Sequence, residues 1–553
     1  MHSFAQIVRS RADDEHIALR FGDDQWTWGE VTREAAERAS ALAALREASR
    51  QPHIGVFLEN TPDYLFWTCA AALSGSVLVG INHTRRGPEL ASDIRHTDCD
   101  LIITEDRLLG LLDGVDHGVR PDRILNIDSG GYRDFLAQHR GCELPADLPD
   151  PNAMLLLLFS SGSTGAPKAV ICSQGRLATL AEAMRVRTEL TRDSVSYLCM
   201  PLFHGNSVML NFAPSMKVGA TIAMARKFSA SGFVRDIHRY QATYVNYVGR
   251  ALSYVLAVPE GPHDRESSLR LAAGTEASLA DIEQFSRRFN CRVSEGYGMS
   301  EGVLRIARTA DTPPDSMGLP VGGVHVRVLN EETGVECPPA RVDERGRLLN
   351  TDEAIGQIVA TGKARGFEGY YKNPEAHAQR IRGEDFWTGD LAYRDASGFF
   401  YFAGRSSDWL RVDSENFAAA PIERIVQRWE AVAAALVYPV PDPRTGDQVM
   451  CAVEMKDGAE FDPDAFARFL DAQPDLGTKW RPRFVRVVDE VPTTGNNKVT
   501  KTVLRRIGWV TSDPVYWRAG AETTYRPLDQ RQRDMFDKEF GEHGRAALIP
   551  SPA

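Results

Sequence analysis

Residues 155–173 read LLLLFSSGSTGAPKAVICS, an apolar run that breaks into Ser, Gly and Thr and then a Lys. Ser161, Gly162, Ser163, Thr164, Gly165 and Lys168 together offer turned backbone N–H groups, hydroxyls and a cation. That set can hold an anion such as a phosphate, because Gly admits the required backbone without a Cβ clash. The spacing is not that of a Walker loop, which runs G-x-x-x-x-G-K-[ST] into a helix. Here Pro167 precedes the Lys and Ala169 follows it, and AVICS reads as a strand. The loop is therefore expected to turn between two strands, away from the common NTPases.

Four other stretches carry groups of related chemistry: EGYGMSE (295–301), WTGDLAYRD (387–395), GRSSDWLRVDSENF (404–417) and PTTGNNKVTK (492–501). Taken singly each is weak. A Tyr between two Gly is usually a turn, an Asp after Gly a turn or a cap, and a lone Lys a solvated side chain.

The elements that must position these stretches follow from the apolar pattern. HIGVFLEN, SVLVGIN and CDLIITE read as strands, alternating with helices over PDYLFWTCAAAL and RGPELASDIRHTD. Such alternation implies right-handed crossovers and a largely parallel sheet. A second α/β run spans about 190–305, with the helix FSASGFVRDIHRY and the strand ATYVNYVG. From about 320 to 403, short strands, turns and Gly suggest a small β subdomain. After GRSSD the pattern is helix then strand, followed by further small α+β units. The expected class is α/β, with a large N-terminal domain of two helix-flanked sheets plus the β subdomain, and a small mobile α+β C-terminal domain. The expected boundaries are 1–403 for the N-terminal domain, 404–408 for a hinge, 409–520 for the mobile domain and 521–553 for a charged extension without an assigned role.

Bulk properties narrow the classes. With 553 residues, the chain exceeds what one core serves. Its 64 basic and 75 acidic residues give a net charge of −11 with no basic run, so nucleic acid is not an expected partner. The eight Cys are scattered without a C-x-x-C pair, which suits free thiols in a reducing cytoplasm. The first residues, MHSFAQIVRSRADDEH, lack the apolar core of a signal peptide. YLFWTCAAALSGSVLVGIN (64–82) is uncharged and long enough to span a membrane, but Ser74-Gly75 divides it into a buried helix and a buried strand.

In their joint order and spacing these stretches resemble the acyl-adenylating superfamily of acyl-CoA synthetases, luciferases and peptide-synthetase adenylation domains. The resemblance runs from roughly residue 15 to 510. It is nearest to the long-chain and very-long-chain acyl-CoA synthetases of the fatty-acid transport protein and actinobacterial type. SSGSTGAPKAV, MPLFHGNSVM, KFSASGF, YVNYVGR, EGYGMSEG, GFEGYY and the TG-x-x-K ending carry it. It implies a carboxylate attacking the α-phosphate of MgATP to give acyl-AMP, and then displacement of AMP by the thiol of CoA.

The residue types suit that first step, which brings two anions together and needs cations and N–H donors at the attacking and leaving oxygens. By resemblance, the Ser161–Gly165 loop and Lys168 hold the β- and γ-phosphates. Gly274, Thr275, Glu276, Gly296, Tyr297, Gly298 and Met299 line the nucleotide, with Tyr297 against adenine. Ser300 donates to the α-phosphate, Glu301 ligates Mg²⁺, Asp390 accepts from the ribose hydroxyls, and Arg405 reaches the ribose from the hinge near Ser407. Lys498 arrives with the small domain to contact the carboxylate and the α-phosphate.

Amino-acid-activating relatives carry an Asp after the aromatic of MPLFHG, whereas this chain has Phe203-His204, which argues for an apolar acid. His204 reads equally as a residue beside the carboxylate or as an ordinary buried His. Met209, Phe212, Tyr244 and Tyr247 fit an acyl tunnel and plain core packing equally well.

Two positions depart from the family pattern. Ser414, in the CoA-facing stretch Ser414-Glu415-Asn416, stands where relatives have Gly, so thioester formation is in question while adenylation is not. Asn497 stands before Lys498 where many relatives have Gly. Three readings follow: an acyl-CoA ligase for a long-chain fatty, steroid side-chain or terpenoid acid; an enzyme that makes acyl-AMP and leaves thiolation to a partner; and a non-catalytic lipid-binding or uptake protein. Lys168, Glu301, Asp390 and Lys498 argue against the third. Whether the chain forms a homodimer stays open.

Overall fold

The computed structural model describes all residues except 1, 46–49, 160–167, 250, 278, 310, 315, 343–347, 406–408, 413–414, 444–445, 474–475, 478, 494–498, 521, 544 and 552–553. Its strands and helices follow the apolar periodicities closely. Helix Pro62–Ser74 opens on a Pro at its first turn and stops at Gly75, whose φ of 71° ends it in the left-handed conformation. The strand Val77–Gly80 follows at once, and all four of its residues are buried. Among the described residues no helix is long and apolar enough to cross a membrane.

Two compact units emerge. The first comprises Met1–Val303 with Arg365–Gln379. Its hairpin Ile17–Phe21 (β1) and Asp24–Thr27 (β2) belongs to a sheet completed far along the chain. A different sheet is built from His53–Phe57 (β3), Val77–Gly80 (β4), Leu101–Thr104 (β5), Ile124–Asn126 (β6), Met154–Phe159 (β7) and Ala169–Ser173 (β8). Its order is β6-β5-β3-β4-β7-β8, parallel except for the antiparallel β7–β8 pair. The 160–167 loop therefore joins two neighbouring antiparallel strands, the context expected from its sequence.

The other sheet adds Val195–Leu198 (β9), Thr221–Met224 (β10), Tyr244–Val248 (β11), Leu271–Thr275 (β12) and Arg292–Gly298 (β13) to β1 and β2. Within this unit the order is β13-β12-β11-β9-β10-β1-β2, again parallel up to the edge hairpin. One apolar cluster joins Ile54 and Leu156 of the former sheet, Leu198 and Ile222 of the latter, and side chains of helices Trp28–Leu45, Pro62–Ser74 and Gln174–Thr188. Helices sealed against two sheets make a layered α/β core.

The second unit comprises the described residues of Leu304–Ala364, Arg380–Thr494 and Val499–Ala553. A small antiparallel sheet contains Val326–Leu329, Gly356–Ala360, Ile381–Arg382, Asp385–Arg394 and Phe400–Arg405. After it come the hairpin Trp409–Val412/Glu415–Ala418 and helix Ala419–Gln427. A mixed sheet follows, with Val432–Pro441, Asp447–Met455, Phe484–Val488, Val515–Trp517 and Arg526–Pro527 in that order. The charged tail is not a detached extension: in helix Gln530–Glu542, Phe536 and Phe540 are buried in the same cluster as Phe484, Trp509 and Trp517. Compactness groups 304–364 with the C-terminal part, whereas the hinge reading at 404–408 concerns rotation and left that stretch N-terminal.

Candidate active site

The Ser300-Glu301 turn is held by its own backbone and by Arg176 inside the first unit. It follows β13, and the Gly302 N–H donates to the Met299 carbonyl at 2.9 Å. Arg176, in the first turn of helix Gln174–Thr188, donates from Nη2 to the Ser300 carbonyl at 2.5 Å and from Nη1 to the Ile171 carbonyl at 2.6 Å. Glu368 lies 3.8 Å from that guanidinium and accepts from the Ser173 N–H at 2.7 Å and hydroxyl at 2.5 Å. Gly302 has φ of 63°, and a Cβ there would come within 2.6 Å of Arg176 Nη2. Glycine is thus required for its backbone and for the guanidinium beside it.

Glu301 is buried, and its Oε1 accepts from the Tyr370 hydroxyl at 2.5 Å. Tyr370 comes from a segment that extends the β8 edge: it bridges to Val170, the Ile171 N–H donates to the Gly369 carbonyl, and the Tyr371 N–H donates to Ala169. Lys168, half-buried, immediately precedes β8. The edge of β8, which begins right after Lys168, thus also anchors the segment that brings Tyr370 to Glu301. Among the described residues no cluster of three or more His, Cys, Asp or Glu could hold a metal. Mg²⁺ does not need one, because it is bound through one or two carboxylates plus substrate phosphates. An oriented, buried carboxylate fits that requirement, and the ion would neutralise phosphate charge there.

The turn Phe203-His204-Gly205 faces the same place. An ideal Cβ on Gly205 would lie 3.5 Å from Ser300 Oγ and 3.7 Å from Met209 Sδ. On its other side, Gly80 would bring a Cβ to 3.0 Å from the Phe203 carbonyl oxygen. Phe203 is buried with the His83 ring 5.1 Å from it, and His204 is half-buried with its ring 6.1 Å from Phe203. Behind the turn runs a buried amide network. Asn206 Nδ2 donates to the Tyr247 carbonyl, Asn246 to Asn206 at 2.7 Å, Asn211 to Asn246 at 2.8 Å, and Ser196 to Asn211 at 2.8 Å. Asn211 belongs to the π-helical segment Val208–Phe212, a wide turn of the kind that recurs at functional sites.

Tyr247 donates its hydroxyl to Glu295 Oε1 at 2.5 Å, and the Ala277 N–H donates to the same oxygen at 3.0 Å. Burial pushes the Glu295 carboxyl up to about 7, against these two bonds, which favour its anion. Gly274 is needed where β12 meets β11, since a Cβ would lie 2.7 Å from the Tyr247 ring. Glu276, a non-glycine, holds φ of 73° just after Thr275, a strained backbone that tends to persist where the surroundings impose it. Tyr297 and Met299 are half-buried, while Gly298 is exposed at the end of β13. Tyr244 donates to the Leu210 carbonyl at 2.7 Å and Phe212 packs edge-on against Phe4, so both serve the core.

In the second unit Asp390 and Arg405 are cross-strand partners. Gly389, with φ of 77°, turns the strand beside Arg380, which donates to the Thr388 carbonyl, and Thr388 Oγ1 accepts from the Asp390 N–H at 3.1 Å. Ser161–Gly165, Ser407, Ser414 and Lys498 lie outside the described residues. Glu415 and Asn416, in the stretch expected to face CoA, begin a strand paired with Val412 and Arg411.

A family model described as AMP-binding enzyme matches residues 6–371, and the model of the AMP-binding enzyme C-terminal domain matches residues 421–498. The chain belongs to the AMP-binding enzyme family. It is 47% identical over 550 residues to a steroid-22-oyl-CoA synthetase of Rhodococcus jostii (strain RHA1), with 99% of each chain covered. It is 42% identical to a medium/long-chain-fatty-acid–CoA ligase of Mycobacterium marinum, covering 92% of this chain and 97% of that one. The fold is that of ATP-bound MatB from Rhodopseudomonas palustris, with a TM-score of 0.77 at 23% identity over 91% of this chain and 97% of that one. This AMP-binding enzyme is an ATP-dependent, AMP-forming acyl-CoA synthetase for apolar acids, using ATP, Mg²⁺ and CoA.

Arg176, Glu368 and Tyr370 were missed as supports of the site. GFEGYY contains the last two and was recognised as a family feature, but its place beside β8 depends on a contact across about two hundred residues of sequence.

Proposed function

We propose that the acid activated by this enzyme is a steroid side-chain acid. The observation that carries this reading is the 47% identity across 99% of both chains to a protein named steroid-22-oyl-CoA synthetase. His204 in place of an acidic residue after Phe203 supports an acid without an ammonium group. In this reading Lys168 and the Ser161–Gly165 loop hold the β- and γ-phosphates, Ser300 donates to the α-phosphate, and Glu301, oriented by Tyr370, ligates Mg²⁺. Tyr297 covers adenine, with Gly274, Thr275, Glu276, Gly296, Gly298 and Met299 around the nucleotide. Asp390 and Arg405 take the ribose, and Lys498 brings the mobile cation to the reacting oxygens. Phe203, His204, Met209 and Tyr247 border the carboxyl end of the acid. The chain turns about 404–408 between half-reactions and works in the cytoplasm, where ATP and CoA are supplied.

Pyrophosphate release with a panel of acids tests the substrate. A steroid side-chain acid is expected to give a higher kcat/KM than a long-chain fatty acid, and the reverse order would sink the assignment.

A second reading is favoured by Ser414: rapid adenylation with slow thiolation, completed by a separate thiolating protein. If the position needs a Gly backbone beside the CoA arm, Ser414→Gly should speed CoA transfer from preformed acyl-AMP and leave pyrophosphate release unchanged. Fast transfer in the wild type with no gain in the variant retires this reading.

A further inference from the structure

The segment that carries Tyr370 to Glu301 is pinned on both of its faces. Glu368 and Tyr370 reach one side, the former to Ser173 and the latter to Glu301. Adjacent residues of an extended segment point to opposite faces, so Tyr371 leaves on the other side. There its hydroxyl donates to Asp98 Oδ2 at 2.7 Å, and its carbonyl accepts from His96 Nε2 at 2.7 Å. Its ring packs against that of His53, with 5.2 Å between centroids. Lys372, the next residue, forms an ion pair with the same Asp98 oxygen. All of these groups belong to the first unit.

Asp98 lies in the turn between helix Gly87–His96 and β5. Burial alone would raise its carboxyl, but the bonds from Lys372 and Tyr371 outweigh burial and hold it below its ordinary value, so the anchor is an anion. Asp98 and Lys372 both have a φ of 49°. Asp enters that left-handed region more readily than Lys does. Lys372 holds it beside the carboxylate it pairs with, and such a backbone persists where its surroundings impose it.

The backbone of the segment meets β8 along one edge only, through the Ile171 N–H to the Gly369 carbonyl at 3.1 Å and the Tyr371 N–H to the Ala169 carbonyl at 2.8 Å. Two bonds along one edge fix the register and leave the tilt about that edge to the side chains. The Tyr371 hydroxyl and the Tyr370 hydroxyl, on opposite faces, turn together. A hydrogen bond weakens steeply as it bends, so the tilt governs the Tyr370–Glu301 bond.

We propose that Asp98 is a positioning residue for metal binding: by holding Tyr371 and Lys372 it sets the tilt of this segment, and with it the direction from which Tyr370 orients Glu301. This rests on the reading of Glu301 as the Mg²⁺ ligand and extends the support of that ligand to a carboxylate on the far face of the segment.

The test is the Mg²⁺ dependence of pyrophosphate release by the full chain at fixed ATP and acid. Asp98→Gly removes the carboxylate and keeps the left-handed backbone. It should raise the Mg²⁺ needed for half-maximal release by roughly threefold or more, because the partners of a ligating carboxylate tune metal affinity. The KM for the acid should stay unchanged. Tyr371→Phe, which deletes only the hydroxyl, should shift the titration in the same direction. Asp98→Asn retains an acceptor for that hydroxyl and should recover part of the loss. In a Tyr370→Phe background Asp98→Gly should add no further Mg²⁺ requirement, since the route through the Tyr370 hydroxyl is already cut. Unaltered titrations in both Asp98→Gly and Tyr371→Phe overturn the proposal, and so does a full additional shift in the Tyr370→Phe background. If Tyr370→Phe itself leaves the titration unchanged, the Glu301 reading falls and the proposal with it. Tm measured alongside separates these shifts from a loss of folded protein. Should Asp98→Gly not fold, Tyr371→Phe carries the comparison, singly and with Tyr370→Phe.

Discussion

Tyr370 and Glu301 share one short bond between a phenol and a buried carboxylate, and on the proposal that Glu301 ligates Mg²⁺ that bond orients the carboxylate for the ion. Tyr370→Phe removes a donor to a charged group, a bond of about 1.5–3 kcal/mol. The variant should therefore need roughly tenfold or more Mg²⁺ for half-maximal pyrophosphate release, with the KM for the acid little changed. An unaltered Mg²⁺ titration would make Tyr370 a packing residue. Glu295 supplies a pH test with a definite sign. Its folded carboxyl titrates at about 7 against an ordinary 4.5, so between those values the native state binds more protons than the unfolded one. Stability contributed by the neutral form is therefore full below about 4.5 and lost as pH rises through 7. Glu295→Gln should remove that slope and raise Tm above pH 7, as measured by thermal scans from pH 5 to 8; parallel curves for both proteins would contradict it. The residues that bear charge at the site were legible as types: EGYGMSE announces a ring, a hydroxyl and a hard oxygen. Their supports were not, since nothing local in Arg176 or Glu368 tells which carbonyl or hydroxyl they will meet.

At the scale of elements, alternation of apolar strands with helices sufficed for both sheets, and the loop at 160–167 was recognisable as a strand-to-strand turn by Pro167 and the β-branched residues after it. Less legible was the 369–371 segment, which lends its backbone to β8 and carries Tyr370 to Glu301. It has no periodicity of its own, only a Gly at φ of 102° and two Tyr. The same edge explains Gly302. Gly302→Ala would impose a left-handed alanine, about 1–2 kcal/mol, and would push the guanidinium of Arg176 off the Ser300 carbonyl. Adenylation should fall more steeply than stability does, because the displaced group is the one that aims Ser300. Acyl-AMP formation in single turnover, set against Tm, separates the two; a loss of activity no greater than the loss of folded protein would leave Arg176 merely structural.

For the whole molecule, the sequence reading stopped short at the C-terminus, where RPLDQRQRDMFDKEFGEHGRAA was a charged extension without an assigned role. Phe536 and Phe540, one helical turn apart, escape notice among acidic and basic neighbours, yet both are buried against an aromatic cluster with Phe484, Trp509 and Trp517. That cluster also contains Val491 and Leu504, and Val499 packs against it. These residues flank 494–498 in sequence, so, on the proposed role of Lys498, the final helix would brace the chain to either side of that cation. Phe540→Ala should cost roughly 3–5 kcal/mol, the usual range for emptying a core aromatic site. Calorimetry should show the transition of the second compact unit moving down while that of the first stays in place. Below that transition, formation of acyl-AMP should already be slowed, because a loosened brace leaves Lys498 less well aimed, whereas ATP binding should be retained. Met535, 60% exposed on the same helix, provides the control. Met535→Ala should change stability by less than about 0.5 kcal/mol and leave both half-reactions alone. If Phe540→Ala lowers stability but adenylates at the wild-type rate at low temperature, the helix is a stabiliser of its own unit and has no hold on the cation.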